Sequence, residues 1–403
     1  MDIHTISRNI PRPIVNGIKY GVLAFKRVVH NKKKIITDYQ YVSVKVKDVH
    51  TFFGYYDVLP FNAKTDEIVF EEYNEKETFA KIVLLDLKTG NKKYLAESRA
   101  WNWQQGSRLR WMPNGDRLII YNDYDGSHYF SKIMNVDTGS CQLIDYPLYD
   151  ISPDGNYGLS LNFERLGVKR PGYGYTCREY NYSKDNLKKE GIDLIDINRN
   201  TAERLFTYSE IAKNLGLKKE DFENNYLNHI SFSPSGKLFL FFWLTIEEDG
   251  WHDASLMVYN IDTKGIKILE KGKKMSHYVW VDDDTIICTG IDRNKQCRYY
   301  KYSISTNQRE ILVSNVLNRD GHPSYLGNDT ILTDTYPDKD GYQNLLMVNL
   351  KTGATNKVLS VYNNCLINGE KRTDLHPRYS SRLRMICIDA NPNRYRQMIF
   401  LKL

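Results

Sequence analysis

Along most of this chain, short runs of alternating apolar and polar residues are broken by clusters of Pro, Gly, Asp, Asn and Ser. The period is two, which predicts strands rather than helices. Seven stretches share one form: DVLPFNAKTDEIVFEEY (57–73), RWMPNGDRLIIYND (110–123), DISPDGNYGLSLNF (150–163), SFSPSGKLFLFFWL (231–244), VWVDDDTIICTG (279–290), SYLGNDTILTDTY (324–336) and RYSSRLRMICIDA (378–390). Each places a short strand, a turn and a more apolar strand in order, as a hairpin does. All but the last are followed by a second strand pair about a D-x-x-T-G-like turn, as in IVLLDLKTGNKKYL (82–95) and LLMVNLKTGATNKVL (345–359). Four strands per unit, repeating roughly every 40–50 residues, is the arithmetic of a propeller blade. An all-β, seven-bladed β-propeller is predicted.

The ends support a closed ring. The seventh unit stops after QMIFLKL (397–403) and lacks an outermost strand, while YQYVSVKV (39–46) is a strand without a unit. Pairing the two removes an exposed sheet edge. Residues 39–403 are therefore expected to form the propeller and residues 1–38 an extension. Two excursions leave the repeat: 164–191, between the second and third strands of unit three, and 208–226, which reads as a short helical crossing. Long loops on a rigid scaffold often carry function.

A chain of 403 residues would ordinarily suggest two or three domains, but the repeat makes most of it one ring. The net charge of +7 is unevenly placed. Residues 1–38 hold eight Lys and Arg against two Asp, so they carry +6 and the remainder +1. A nearly neutral body argues against nucleic acid as a partner. Residues 13–36 mix apolar and basic side chains without an acid, which suits an amphipathic segment on an anionic inner-membrane surface or a solvated basic lead-in. No apolar run approaches the roughly 18 residues of a membrane span, and no signal-peptide pattern is present, so a cytoplasmic location is expected. None of the six cysteines forms a C-x-x-C pair. Cys141, Cys288 and Cys387 lie in strand-like runs and are expected to pack as small free thiols.

The chemistry appears when the units are aligned on their turns. Five residues before the Pro, or its equivalent, stand His229, His277, His322 and His376 in units four to seven, Arg108 in unit two and Tyr55 in unit one; unit three has Leu148. This position is the start of the innermost strand, so the side chains are expected to converge at one mouth of the central channel. Clustered imidazoles are common metal ligands and general bases. The same mouth receives the second-to-third-strand loops, with aromatic residues nearby, among them Trp103, Trp243 and Tyr336. Rings beside polar groups suit a sugar, and Arg108, Arg165 and Arg170 suit an acidic one, because a guanidinium can grip a carboxylate bidentately. P-loop, dinucleotide-binding, nucleophile-elbow and H-E-x-x-H patterns are absent.

The units at 150–163, 231–244, 324–336 and 378–390 resemble the S-P-D-G repeats of TolB-like, WD-repeat-like propellers. With His at the strand starts, the chain more narrowly resembles the oligogalacturonate-lyase family, cytoplasmic seven-bladed propellers that cleave short uronic-acid oligomers by β-elimination with a bound divalent metal. The resemblance implies His322 and His376 as metal ligands, joined here by Asp374 where the family has a Gln and two His close together, with manganese or zinc as the metal. It implies His277 as the catalytic base and Arg108 as a candidate for the family's catalytic Arg; in a lyase reading of this chain His229 is the alternative base and Tyr55 or a water the proton donor. HTFFGYYD (50–57) and the basic arm also resemble propeller proteins of bacterial surface-polysaccharide biosynthesis, some of them glycosyltransferase-like. Three readings follow: a lyase-like enzyme on an acidic saccharide, a transferase-like or non-catalytic glycan-binding component of capsule or O-antigen synthesis, and a protein-interaction propeller.

Overall fold

The computed structural model describes residues 33–403, apart from 184, 186–188, 218–221, 249, 251, 292–295 and 364–368. Seven antiparallel sheets follow one another around a ring. Their innermost strands are His50–Phe52, Arg110–Trp111, Asp150–Ile151, Asn225–Phe232, Met275–Trp280, Ser324–Gly327 and Arg378–Ser380. Blades one to six run outward in chain order through three more strands, as the repeat predicted, and blade seven through two.

The recurrent D/N-x-x-T-G motif has a local cause. Asp86 Oδ1 accepts the backbone N–H groups of Lys88 and Thr89, at 2.8 and 3.0 Å. Asn135 repeats this for Asp137 and Thr138, and Asn349 for Lys351 and Thr352. A short side chain with a carbonyl-like oxygen thus closes these outer hairpins, which is why Asp or Asn recurs at the turn; in blade five the Ser303 hydroxyl accepts the Thr306 N–H instead.

Blade seven consists of Arg378–Ser380, Met385–Ala390, Gln397–Lys402 and, outermost, Tyr41–Val44. Tyr41 pairs with Leu401 and Val44 with Met398, so the N-terminal strand closes the ring as expected. Ile35–Ile36 adds a fifth strand to blade six, opposite Val361 and Ser360. The end of the basic stretch is therefore paired into a sheet, while residues 1–32, which carry most of it, lie outside the described residues.

Apolar side chains fill the space between blades. Between blades three and four, Phe206 lies 5.0 Å from Phe241 and 5.1 Å from Tyr259, ring centre to ring centre. The 164–191 excursion opens with the helix Phe163–Lys169, capped by Asn162, and the crossing contains the helix Tyr208–Asn214 with a Thr207/Glu210 capping box. Cys288 and Cys387 are buried free thiols, but Cys141 is exposed on an outermost strand, where alternation points it to solvent rather than into the packing. Among the described residues, no helix is long and apolar enough to cross a membrane.

Candidate functional site

The four histidines do converge. Ring centres of His277 and His322 are 3.9 Å apart, those of His322 and His376 4.5 Å, and those of His229 and His277 6.3 Å. All four are buried. Backbone geometry aims them: Arg108, His229 and His376, which share one repeat position, all have φ between 45° and 56°. Such left-handed conformations cost energy in residues other than Gly or Asn and gather where side chains must be re-aimed. In blade four the inner ladder slips its register just there, between Asn228 and Ser231.

Polar residues at the ends of second strands hold these starts in place. Asp334 accepts the backbone N–H of His322 at 2.7 Å and those of Leu375 and His376 in the next blade at 3.1 and 3.2 Å. Asn122 accepts from Leu148, Glu71 from Ser107, and Thr289 from His277. The repeat thus specifies a side-chain acceptor at each of these strand ends.

The unit-one member is built differently. Gly54, Tyr55, Tyr56 and Asp57 leave the inner strand and fill the channel centre. The Tyr55 ring sits 4.7 Å from His376, 5.5 Å from His229 and 5.9 Å from His322. Asp57 takes both Arg108 Nη atoms at 3.1 Å. Tyr56 accepts the Tyr278 backbone N–H at 2.9 Å. Gly54 cannot be replaced cheaply: its φ is +125°, and a Cβ would lie 2.8 Å from the Gln105 carbonyl oxygen. GYYD is a wedge on which the histidines rest.

Hydrogen bonds fix the imidazole tautomers. Nδ1 of His322 lies 2.9 and 3.0 Å from the two Asp334 oxygens, that of His376 donates to Gly54 O at 2.9 Å, and that of His277 lies 3.1 Å from Asp320 Oδ1. The Nε2 atoms of His322 and His376 are buried without a partner. Together with Asp374, their ligating atoms all lie within 4.8 Å of one another. Two orphaned imidazole nitrogens beside a carboxylate, with Asp334 and Gly54 O oriented behind them, are the donor set and outer support that a divalent cation uses, so the residues present fit the implied metal. Burial depresses His229, His277 and His376, while for His322 the Asp334 carboxylate outweighs burial and raises it. Burial would raise Asp374, but Arg372, bonded through Nε at 3.0 Å, holds it below the usual carboxylate range.

A cavity of about 390 Å³ opens onto His229 and His277, lined also by Asp320, Tyr226, Tyr336 and Arg170 among others. The Arg170 guanidinium lies over the Tyr173 ring, 5.4 Å from its centre, and has no hydrogen-bond or ion-pair partner among the described residues. Tyr226 Oη lies 2.6 Å from His252 Nδ1 at the cavity wall.

Several expectations need correction. Arg108 is not a free catalytic group: two of its nitrogens hold Asp57, Nε donates to Tyr149 O at 2.7 Å, and it is buried. Arg165 does not face a substrate carboxylate. It is fully buried and donates to the carbonyls of Phe222 and Asn225 and to Tyr180. Trp243 is core, packed on Tyr208 and Phe222. Trp103 sits with His50, Tyr73 and Trp101 in a separate aromatic cluster. Tyr55 is buried behind the histidines, away from the cavity lining, whereas Tyr336 does line it. Among the arginines named from the sequence, Arg170 is the one left available. Asp320 and Arg372 were missed. Asp320 stands two residues before His322 in NRDGHP, and that adjacency was the one signal in the sequence.

No protein-family model matches the chain, and no curated protein matches it. Solved structures do. An oligogalacturonate lyase from Vibrio parahaemolyticus aligns with a TM-score of 0.65 at 12% identity, over 92% of this chain and 98% of its own. An oligogalacturonate lyase in complex with manganese gives 0.64 at 14%, again over 92% and 98%. TolB from Acinetobacter baumannii gives 0.43 at 14%, over 75% and 65%. The likeness to the lyases is one of fold.

Proposed function

We propose that this propeller is a lyase-like enzyme that cleaves an acidic saccharide by β-elimination. One observation carries the reading: two buried, partnerless imidazole nitrogens face a carboxylate, and one of those rings, His322, lies 3.9 Å centre to centre from His277 in the wall of a cavity that also holds the Arg170 guanidinium. Its setting supports it, since the same ring architecture is that of a manganese-complexed oligogalacturonate lyase.

His322, His376 and Asp374 would hold a divalent metal, manganese or zinc. When bound, it supplies positive charge that stabilises an anionic centre next to a carboxylate. Arg170, whose guanidinium has no hydrogen-bond or ion-pair partner among the described residues, pairs with the uronate carboxylate, which makes the adjacent C5 proton more acidic. His277, with Nδ1 held by Asp320, turns Nε2 toward that proton and removes it. The released electron pair forms the C4–C5 double bond as the C4–O4 bond breaks, and O4 takes a proton from Tyr226 or Tyr336, both on the cavity wall.

The test is paired. Metal content is measured on the purified protein and on His322→Ala and His376→Ala, and galacturonate, glucuronate and mannuronate oligomers are followed for the ultraviolet absorbance of an unsaturated product. Metal lost from both variants, together with product from one oligomer class, is expected. Metal content unchanged in the variants and no product from any oligomer would overturn the proposal. Binding without product would favour a non-catalytic glycan-binding component instead.

A further inference from the structure

PGYGYTC (171–177) belongs to none of the roles above except through Tyr173. It forms a wall. On one side lies the histidine cavity, and on the other a second hollow of about 480 Å³, lined by Trp101, Asn102, Arg99, Tyr124, Glu370 and others, with Tyr173 common to both. The glycines make the wall possible. Gly174 has φ +66°, and a Cβ there would lie 2.4 Å from Gly167 N and from Phe163 O, so only Gly lets the loop press onto its own helix. Tyr173 is then held between the two spaces, its hydroxyl accepting from Arg372 Nη2 at 3.0 Å.

The outer hollow has the features of a sugar platform. Tyr73, Trp103 and Phe52 pack against Trp101 at 4.2, 5.4 and 5.8 Å between ring centres, yet Trp101 remains partly exposed and lines the hollow. A ring backed by other rings and open in front is rigid, and it offers an apolar surface at small entropic cost. Beside it, the Arg99 guanidinium is exposed and has no hydrogen-bond or ion-pair partner among the described residues. Glu370 is the opposing charge in the lining, adjacent in sequence to Lys371, which lies over Trp103 at 5.6 Å.

We infer that the outer hollow is a second saccharide subsite, in which Trp101 stacks on a pyranose ring and Arg99 pairs with its carboxylate, two adjoining cavities thus taking successive residues of one acidic chain. The inference rests on the saccharide reading above and adds that the ligand is an oligomer longer than a disaccharide. Its test is binding of galacturonate and glucuronate oligomers of two to six residues, followed by calorimetry and by tryptophan fluorescence. In the wild type, affinity rises roughly tenfold or more between the dimer and the length that reaches the hollow, with a change in fluorescence. In Trp101→Ala and Arg99→Ala the ratio of long-oligomer to dimer affinity falls to near one, and Trp101→Phe restores part of it. Thermal melts establish that each variant is folded. Dimer binding with no length-dependent gain, or a gain unchanged in both alanine variants, overturns the subsite and leaves the central reading standing. Failure of every oligomer to bind the wild type overturns both.

Discussion

Replacing Asp57 by Asn isolates the energetic role of the GYYD wedge. Arg108 and Asp57 meet through two parallel 3.1 Å bonds, and their side chains are 2% and 7% exposed. The guanidinium also donates to Tyr149 O and lies 4.3 Å from the Tyr149 ring centre, but neither contact supplies negative charge. Removing one partner of a buried pair costs about 3–5 kcal/mol, because the remaining charge stays out of water without compensation. An unfolding entropy near 2.1 cal/mol/K per residue gives about 0.85 kcal/mol/K for this chain, so Asp57→Asn should lower Tm by about 4–6 °C. Asp116→Asn breaks only an exposed bridge to Lys64 and should shift Tm by about 1 °C or less. The double variant Asp57→Asn/Arg108→Met removes the stranded cation and should recover most of the loss. Differential scanning calorimetry decides. A Tm for Asp57→Asn within 1 °C of wild type, or a double variant whose loss equals the sum of the singles, would refute the reasoning.

Gly54→Ala should destabilise by about 2 kcal/mol or more, because a strained φ coincides with a backbone clash; a urea midpoint equal to wild type would count against this. Glu71 is buried and accepts two bonds from Ser107, yet burial raises its carboxyl to about 7 from the ordinary 4.5. Its native state therefore favours the proton, so the associated stability is full below pH 4.5 and is lost as pH rises through 7. That interval corresponds to about 3 kcal/mol. Melts from pH 5 to pH 8 should fall further for wild type than for Glu71→Gln, and parallel curves would exclude it. Arg170→Ala should weaken uronate-dimer binding about 100-fold, from the loss of a charge-assisted pair, with Tm little changed because the Arg170 guanidinium makes no hydrogen bond among the described residues and its backbone bonds remain. An unchanged Kd would remove Arg170 from the site.

The ring was readable because its signals are local and repeated. A D-x-x-T-G-like turn needs only its own four or five residues, and six copies reinforce one another. The histidine position was readable for the same reason, since a register shared by His229, His277, His322 and His376 survives alignment on a turn. What escaped was pairwise and non-local. Nothing near Arg165 in sequence announces the carbonyls of Phe222 and Asn225 that it satisfies, and Arg108 looked like one more residue of the histidine register until Asp57 was seen beside it. Arg170 and Arg108 are equally basic in the sequence; only burial and partners separate the available cation from the structural one.

The closing strand has a consequence in time. Tyr41 pairs with Leu401, so this strand leaves the ribosome long before its partner. At about 5–20 residues per second, some 360 residues take roughly 20–70 s. Throughout that interval Tyr41–Val44 lacks its partner strand, because the other strands of blade seven are made only at its end. An unpaired strand on a nascent chain is a place where a second, equally incomplete chain can pair instead. The latch that closes the finished ring is therefore the point at which its synthesis is most exposed to intermolecular error, and a factor that holds Tyr41–Val44 during translation would act on yield without touching the mature fold.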